Sequence, residues 1–338
     1  MVYHAATGGG FYRFSLRIYS DITEDLSQEE VIERIKLVVL PFEIEFKTVD
    51  LFSRYNLNHF VAEEFSQDRV FLVGDAAHHI SPMCGFSLNT GLADSWNLVW
   101  KLYLTSCKIT KPTILETYHE ERYTVAERMI ELSVKLQAIY NLDSVMIGVE
   151  SQQELNYAWT RNKGFMTGIG VEYHISSLNL YASDDIDLRV RPGMRSPDGR
   201  ITPSMITDGV TPTRLLDLFT AVPIFHILVF MGDPSHNNDY LEKLADLVTL
   251  QRLSPFTPNR RKFVEYKEIY ELIIIVPANV SQPSCTSIVE AAGGIYYTDD
   301  VTEDEGLYAR YGVDLQEGAI VVVRPDGIVG NHLQFYTK

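Results

Sequence analysis

Residues 69–102, RVFLVGDAAHHISPMCGFSLNTGLADSWNLVWKL, constrain the fold of this chain more than any other stretch. Four apolar residues, Val70 to Val73, have the length and composition of a strand covered on both faces, with parallel neighbours alongside. Gly74-Asp75 ends that run. A loop carrying His78, His79, Pro82 and Gly85 follows. Asn89 to Leu102 then places Leu92, Trp96, Val99, Trp100 and, just beyond, Tyr103 at helical spacing. Strand, acidic turn, glycine-bearing loop and helix start together form a corner suited to contacting a cofactor. The helix start offers unpaired N–H groups and the positive end of a dipole. Asp75 offers an acceptor for sugar-like hydroxyls.

Within this stretch Gly74-Asp75-Ala76-Ala77-His78, Pro82, Gly85, Asn89, Gly91, Asp94, Asn97-Leu98 and Trp100-Lys101-Leu102 follow, in register, the pattern G-D-A-A-H-x-x-P-P-x-G-G-x-G-x-N-x-G-x-x-D-x-x-N-L-x-W-K-L. That pattern is the second flavin-contact motif of the FAD-dependent aromatic hydroxylases, and the chain resembles the p-hydroxybenzoate hydroxylase and phenol hydroxylase family. Ser81, Cys84 and Ser87 stand where the pattern has Pro, Gly and Gly. The resemblance implies an FAD-dependent monooxygenase with NADPH as electron donor. Its substrate would be an aromatic, polyketide-like intermediate of secondary metabolism, oxygenated by hydroxylation or by Baeyer–Villiger-type insertion. It also implies roles for residues. Asp75 accepts from the ribityl chain, and Pro82 and Gly85 lie near the flavin ring. The backbone N–H groups of Ser87, Leu88 and Asn89 stabilise negative charge at the pyrimidine end. No catalytic acid or base is assigned.

The remaining segments extend the resemblance. Residues 1–62 read as strand, helix and strand: Phe11 to Tyr19 alternates, Ser27 is placed to cap a helix ending before Pro41, and Glu43 to Val49 alternates again. This piece is similar to the family's substrate-carrying sheet. Residues 63–160 correspond to the C-terminal part of the FAD-binding domain. There, Leu115-Glu116-Thr117-Tyr118 with Glu121-Arg122 and Ala126-Glu127-Arg128 resembles the family's long helix, beginning at Pro112. Residues 161–199 form a connecting segment. The region 143–200 is the least periodic, with Asn162-Lys163-Gly164 read as a turn. From 200 to 338 strands alternate with helices: Phe225 to Phe230, 240–250, Ile269 to Val276, Ile288 to Ala292, a strand opening at Gly294, and Ala319 to Val323 turning at Arg324-Pro325-Asp326-Gly327. This part resembles the thioredoxin-like C-terminal domain of phenol hydroxylase relatives, with a packing or dimer-contact role. The fold class expected is therefore α/β: an α+β flavin and substrate portion followed by a thioredoxin-like α/β domain.

Full-length members of the family open with a dinucleotide-binding βαβ unit carrying G-x-G-x-x-G. No such sequence occurs in these 338 residues. The expectation is that a homodimer or a partner chain completes the protein. The alternative is a truncated, non-catalytic remnant, or a binding or scaffold protein without self-sufficient FAD binding.

Composition narrows the partners. The net charge is −16, from 29 basic and 45 acidic residues, which argues against nucleic acid and anionic membrane surfaces. Cys84, Cys107 and Cys285 are far apart, so neither a disulfide framework nor a cysteine metal site is expected, and a cytoplasmic setting fits. No metal site is assigned: His78-His79 are adjacent and do not present an i, i+4 ligand face, and the cluster Asp184, Asp185 and Asp187 reads as a solvated turn. No apolar run reaches the roughly 18–20 residues that span a bilayer.

Overall fold

The computed structural model describes residues 2–8, 11–16, 26–54, 58–80, 85, 87–142, 149–180, 188–204, 212–219, 223–233, 238–246, 269–280, 286–302 and 304–335. The chain divides into two compact units, residues 1–58 with 135–157, and residues 59–134 with 158–338.

In the first unit β1 (Val2–Gly8) and β2 (Phe11–Leu16) pair antiparallel. Helix α1 (Gln28–Val38) starts at the expected cap. Glu30 N donates to Ser27 Oγ at 3.2 Å and Ser27 N donates to Glu30 Oε2 at 2.8 Å, a reciprocal capping box. Glu43 to Val49 is not a strand. Its alternation supplies a face but no ladder partner, and Phe46 packs on the Phe14 ring instead, with centroids 5.4 Å apart.

The second unit contains the motif. Val70 to Val73 does not form the expected covered parallel strand. After β3 (Phe60–Val61) and β4 (Ser66–Gln67), only β5 (Val70–Phe71) pairs, antiparallel to β4, and Val70 is 64% exposed. An apolar run becomes a central strand only where neighbours supply both ladders, and among the described residues none lies beside it in parallel. The chain beyond β5 is pinned locally. Leu72 N donates to Phe65 O, and Tyr118 Oη donates to Leu72 O at 2.6 Å. Phe65, Ala77, Leu98, Tyr118 and Ala126 form the core beneath it. β6 (His78–His79) returns antiparallel to β3.

Helix α2 (Ser87–Ser106) brackets the expected span. A 3₁₀ turn at Pro112–Leu115 leads into α3 (Glu116–Leu142). Helix α4 (Val149–Met166) occupies the stretch that sequence periodicity left irregular, and Asn162-Lys163-Gly164 lies inside it. Gly164 serves close packing rather than a turn: a Cβ on Gly170 would sit 2.9 Å from the Gly164 carbonyl carbon.

The C-terminal part is a seven-stranded sheet. Its strands are β7 (Arg200–Pro203), β8 (Thr213–Arg214), β9 (Phe225–Phe230), β10 (Tyr270–Val276), β11 (Tyr297–Asp299), β12 (Ala319–Val323) and β13 (Val329–Gln334), in the order β13-β12-β9-β10-β11-β7-β8. β9, β10 and β11 are parallel, and their crossovers carry helix α5 (238–246) and helix α6 (Thr286–Ala291). The other pairings are antiparallel. Alternation along β9, β10 and β12 splits the core into two layers. Leu228, Phe230, Ile273, Ile275, Val321 and Val323 pack with Leu307, Tyr308 and Tyr311 of α7 (Gly306–Tyr311). Val229, Ile274 and Val276 pack with Leu241, Ala245 and Ile288 on the opposite face. The acidic cluster at 184–187 lies outside the described residues. No helix among them is long and apolar enough to cross a membrane.

Candidate flavin-contact corner

Gly74–Ala76 forms a single 3₁₀ turn, and Gly74 adopts φ +61°. A side chain there would be strained, and the backbone uses the freedom to approach α2 closely. A Cβ on Gly91 would lie only 3.3 Å from Gly74 Cα. The turn leaves Asp75 and Ala76 exposed while Ala77 and His78 are buried. Gly85 is exposed with φ +68°, and no atom lies within 4 Å of where its Cβ would stand. Ser87, Leu88 and Asn89 make the first turn of α2, Leu88 and Asn89 exposed and Ser87 half-buried. Ser87 Oγ donates to Ile80 O at 3.2 Å, tying the two ends of the loop together. Pro82, Ser81 and Cys84 lie outside the described residues.

Asp94 anchors the corner from beneath. Its Oδ2 accepts from Gly74 N at 3.1 Å and lies 2.7 Å from His78 Nε2, and its Oδ1 accepts from Arg122 Nε at 2.6 Å. Burial alone would push this carboxyl's pKa up. The His78 hydrogen bond and the Arg122 charge outweigh that and hold it below the usual carboxylate range. His78 is thus a buried structural partner of Asp94. His79 stacks on Phe60, with centroids 5.2 Å apart.

One turn further along α2 the network continues. Asn97 Nδ2 donates to Glu121 Oε2 at 2.7 Å, and Lys101 Nζ donates to the same oxygen at 2.9 Å. Arg122 Nη1 donates to Tyr173 Oη at 3.0 Å, and Asn97 Nδ2 reaches that hydroxyl at 3.4 Å. Arg324, from the turn after β12, donates to Glu121 Oε2 at 2.9 Å, to Asn179 Oδ1 at 2.9 Å and to Asp326 Oδ2 at 2.6 Å. Trp100 Nε1 donates to Asp326 Oδ2 at 3.1 Å. Burial disfavours the ionised form of Glu121, yet Arg324 and Lys101 bring its pKa down to about 2. Burial brings Lys101 down to about 8 against the pull of Glu121.

The residues predicted from sequence therefore fall into two groups. Asp75, Gly85, Leu88 and Asn89 lie exposed around one corner, with Ser87 at its rim. Asp94, Asn97, Lys101, Glu121, Arg122, Arg324 and Asp326 form the buried support, and sequence reading gave them no role beyond matching a pattern or a turn. A signal was present: Asp94, Asn97 and Lys101 recur at i, i+3, i+7, a polar stripe on one helix face. The apolar stripe read from α2 points the other way. Leu92, Trp96 and Val99 are 60%, 43% and 55% exposed.

What this corner belongs to is answered by comparison with known proteins. Residues 14–133 match the FAD binding domain family, and residues 171–337 match the phenol hydroxylase C-terminal dimerisation domain. A phenol 2-monooxygenase of Aspergillus fumigatus is 26% identical over 90% of this chain and 52% of its own length. An FAD-dependent monooxygenase of Aspergillus hancockii is 31% identical over 90% of this chain and 56% of its own length. The crystal structure of a ternary complex of aklavinone-11 hydroxylase with FAD and aklavinone superposes with a TM-score of 0.62 at 22% identity, covering 93% of this chain and 50% of that one. The chain spans about half the length of these relatives. On one polypeptide with a G-D corner held by an aspartate–arginine–histidine cluster, residues 14–133 belong to the FAD binding domain family and residues 171–337 to the phenol hydroxylase C-terminal dimerisation domain family, so over both parts the chain resembles the FAD-dependent aromatic hydroxylases.

Proposed function

We propose that these residues form the riboflavin-side and C-terminal portion of an NAD(P)H-driven, FAD-dependent monooxygenase acting on an aromatic, polyketide-like small molecule. The observation that supports this best is the corner itself. A rigidly supported turn presents Asp75 outward beside the open first turn of a 20-residue helix. The residues present fit the cofactor. Gly74 and Gly85 hold positive-φ backbone without side chains in the way, and the first N–H groups of α2 have no intrahelical partners.

In this reading Asp75 accepts hydrogen bonds from ribityl hydroxyls. Ser87, Leu88 and Asn89 direct backbone N–H groups and the positive end of the helix dipole toward negative charge at the pyrimidine edge. Pro82 and Gly85 line the ring. Bound flavin supplies the hydride acceptance and oxygen activation that no side chain here can provide. The chain's own contribution is to hold and polarise the cofactor, with NADPH as donor. Residues 171–337 hold two copies together as a homodimer. The units 1–62, 63–160, 161–199 and 200–338 serve as substrate sheet, flavin-domain portion, connector and thioredoxin-like domain.

The test is an FAD titration of the purified chain followed by flavin fluorescence quenching. Saturable binding at one flavin per chain, weakened in Asp75→Ala, supports the reading. Equal affinity in both proteins removes Asp75 from the site.

A further inference from the structure

The buried polar groups beneath the Gly74 turn form two clusters that meet at the hydroxyl of Tyr173. Asp94, His78 and Arg122 make the clamp that receives the Gly74 N–H. Glu121, Arg324, Asp326 and Asn179 make the other cluster. Tyr173 Oη accepts from Arg122 Nη1 at 3.0 Å and lies 3.4 Å from Asn97 Nδ2, whose shorter bond goes to Glu121 at 2.7 Å. The Arg324 guanidinium sits over the same ring, 5.5 Å from its centroid.

Arg122 is 1% exposed, so its N–H groups must find partners within the protein. Nε donates to Asp94 Oδ1 at 2.6 Å. Nη2 reaches Thr90 O at 3.4 Å, beyond the ordinary hydrogen-bond range. The bond from Nη1 to Tyr173 is therefore the second close contact. A guanidinium held at Nε alone can swing about that bond, whereas one held at Nε and Nη1 has its plane fixed. The Asp94 carboxylate is fixed with it, and so is the oxygen that it turns to Gly74. Tyr173 itself comes from outside both helices of the corner. It lies between α4 and β7, 5% exposed, and its N–H donates to Gly193 O at 3.0 Å. Gly193 adopts φ +92°, and a Cβ there would collide with the Tyr173 carbonyl oxygen. The close backbone approach that places the ring thus needs a glycine.

We propose that Tyr173 is a positioning residue for the flavin corner: its hydroxyl fixes Arg122, Arg122 fixes Asp94, and Asp94 holds the Gly74 turn that presents Asp75 outward. What Asp75 meets rests on the flavin reading above; the contacts beneath the turn do not.

The test removes the hydroxyl and keeps the ring. The Gly74 amide hydrogen, accepted by Asp94 Oδ2, reports on the turn. Val321, 0% exposed on the interior strand β12, reports on global opening. In Tyr173→Phe, hydrogen exchange read by NMR is expected to be at least about tenfold faster at Gly74 relative to Val321. Tyr308→Phe is the control. It deletes another buried hydroxyl, one that donates to Met231 O at 2.6 Å and lies 2.9 Å from Ile275 O, and it should leave both this ratio and FAD affinity unchanged. FAD affinity, from fluorescence titration of the purified chain, is expected to fall about fivefold in Tyr173→Phe, the worth of one hydrogen bond. The same change made in Asp75→Ala should cost less than about twofold, because the group through which the turn acts is already gone. A Gly74-to-Val321 ratio equal to wild type overturns the proposal. An equal loss of affinity in both backgrounds also overturns it, since Tyr173 would then act without Asp75. Wild-type affinity in Tyr173→Phe where Asp75→Ala weakens binding does the same. An Asp75→Ala variant with wild-type affinity, or a chain without saturable FAD binding, removes the flavin reading instead. The Gly74 ratio then decides by itself whether Tyr173 fixes the turn.

Discussion

Arg324 Nη2 donates to Glu121 Oε2 at 2.9 Å, joining residues 203 positions apart in a site where both side chains are almost fully buried. The contact ties the turn after β12 to α3, next to the Arg122 that holds Asp94 under the Gly74 turn. The R-P-D-G turn near the C-terminus is therefore part of the support beneath the Gly74 turn, and its aspartate and arginine are there for their charge as well as for the turn. Removing one partner leaves a buried charge uncompensated. Glu121→Ala is expected to destabilise the unit by about 3–5 kcal/mol. Glu121→Leu combined with Arg324→Met should lose far less than the sum of the single changes. Urea unfolding of the two singles and the double measures this, and additive losses would contradict the pairing.

Gly91→Ala tests the contact between α2 and the turn. Its Cβ would meet Gly74 Cα at 3.3 Å, backbone against backbone, so one element must shift. The expected loss is about 1–3 kcal/mol, although alanine favours a helix over glycine. Chemical denaturation checks it: a gain in stability would mean that the turn yields freely.

Acid should weaken the C-terminal sheet in a defined window. His226, 1% exposed on β9 and stacked on Phe219 at 4.3 Å, has its pKa lowered by burial to about 4. The nearby Glu271 carboxylate, 3.7 Å away and half exposed, does not compensate. In the unfolded chain the ring protonates near 6.5. Between pH 6.5 and 4 the unfolded state binds more protons, so stability falls as pH falls, by up to about 3 kcal/mol. Glu121 adds a second loss at lower pH. Its folded pKa near 2 lies below the unfolded value, so its contribution is present above about 4.5 and disappears toward 2. Urea midpoints measured from pH 7 to 4 should decline in the wild type and decline less in His226→Phe.

Asp75→Ala should weaken FAD binding by about 1–3 kcal/mol, the loss of an acceptor for ribityl hydroxyls, and leave unfolding free energy within about 0.5 kcal/mol because Asp75 is exposed. Asp94→Ala should lower both. Comparing titration with denaturation in the two variants tests whether Asp75 acts on the cofactor and Asp94 on the fold beneath it.

A polypeptide of these 338 residues alone, given FAD and NADPH, should consume oxygen without forming hydroxylated phenol. In the proposed reading these residues reach the flavin through one loop and one helix start, and oxygen transfer requires water to be kept out. Oxygen uptake measured against product checks this; stoichiometric product would show a complete site.

Local chemistry was enough for the elements that carry their own instructions. Ser27 and Glu30 cap α1 whatever surrounds them, and the apolar runs at Phe225 to Phe230 and Ala319 to Val323 form strands because their neighbours in the sheet lie within the chain. The Gly74-Asp75 turn and the helix after it were legible for the same reason. Three features depended on tertiary structure. Val70 to Val73 has a strand's sequence but has no parallel neighbour among the described residues, and the ladder stops at Phe71. Gly164 sits inside a helix because Gly170 packs on it, a contact that no local rule registers. The direction in which α2 faces was decided by Glu121, Arg122, Arg324 and Asp326, which arrive from α3 and from the far end of the chain. Their charges draw Asp94, Asn97 and Lys101 inward and turn Leu92, Trp96 and Val99 out, because a buried charge without partners costs more than exposed apolar surface.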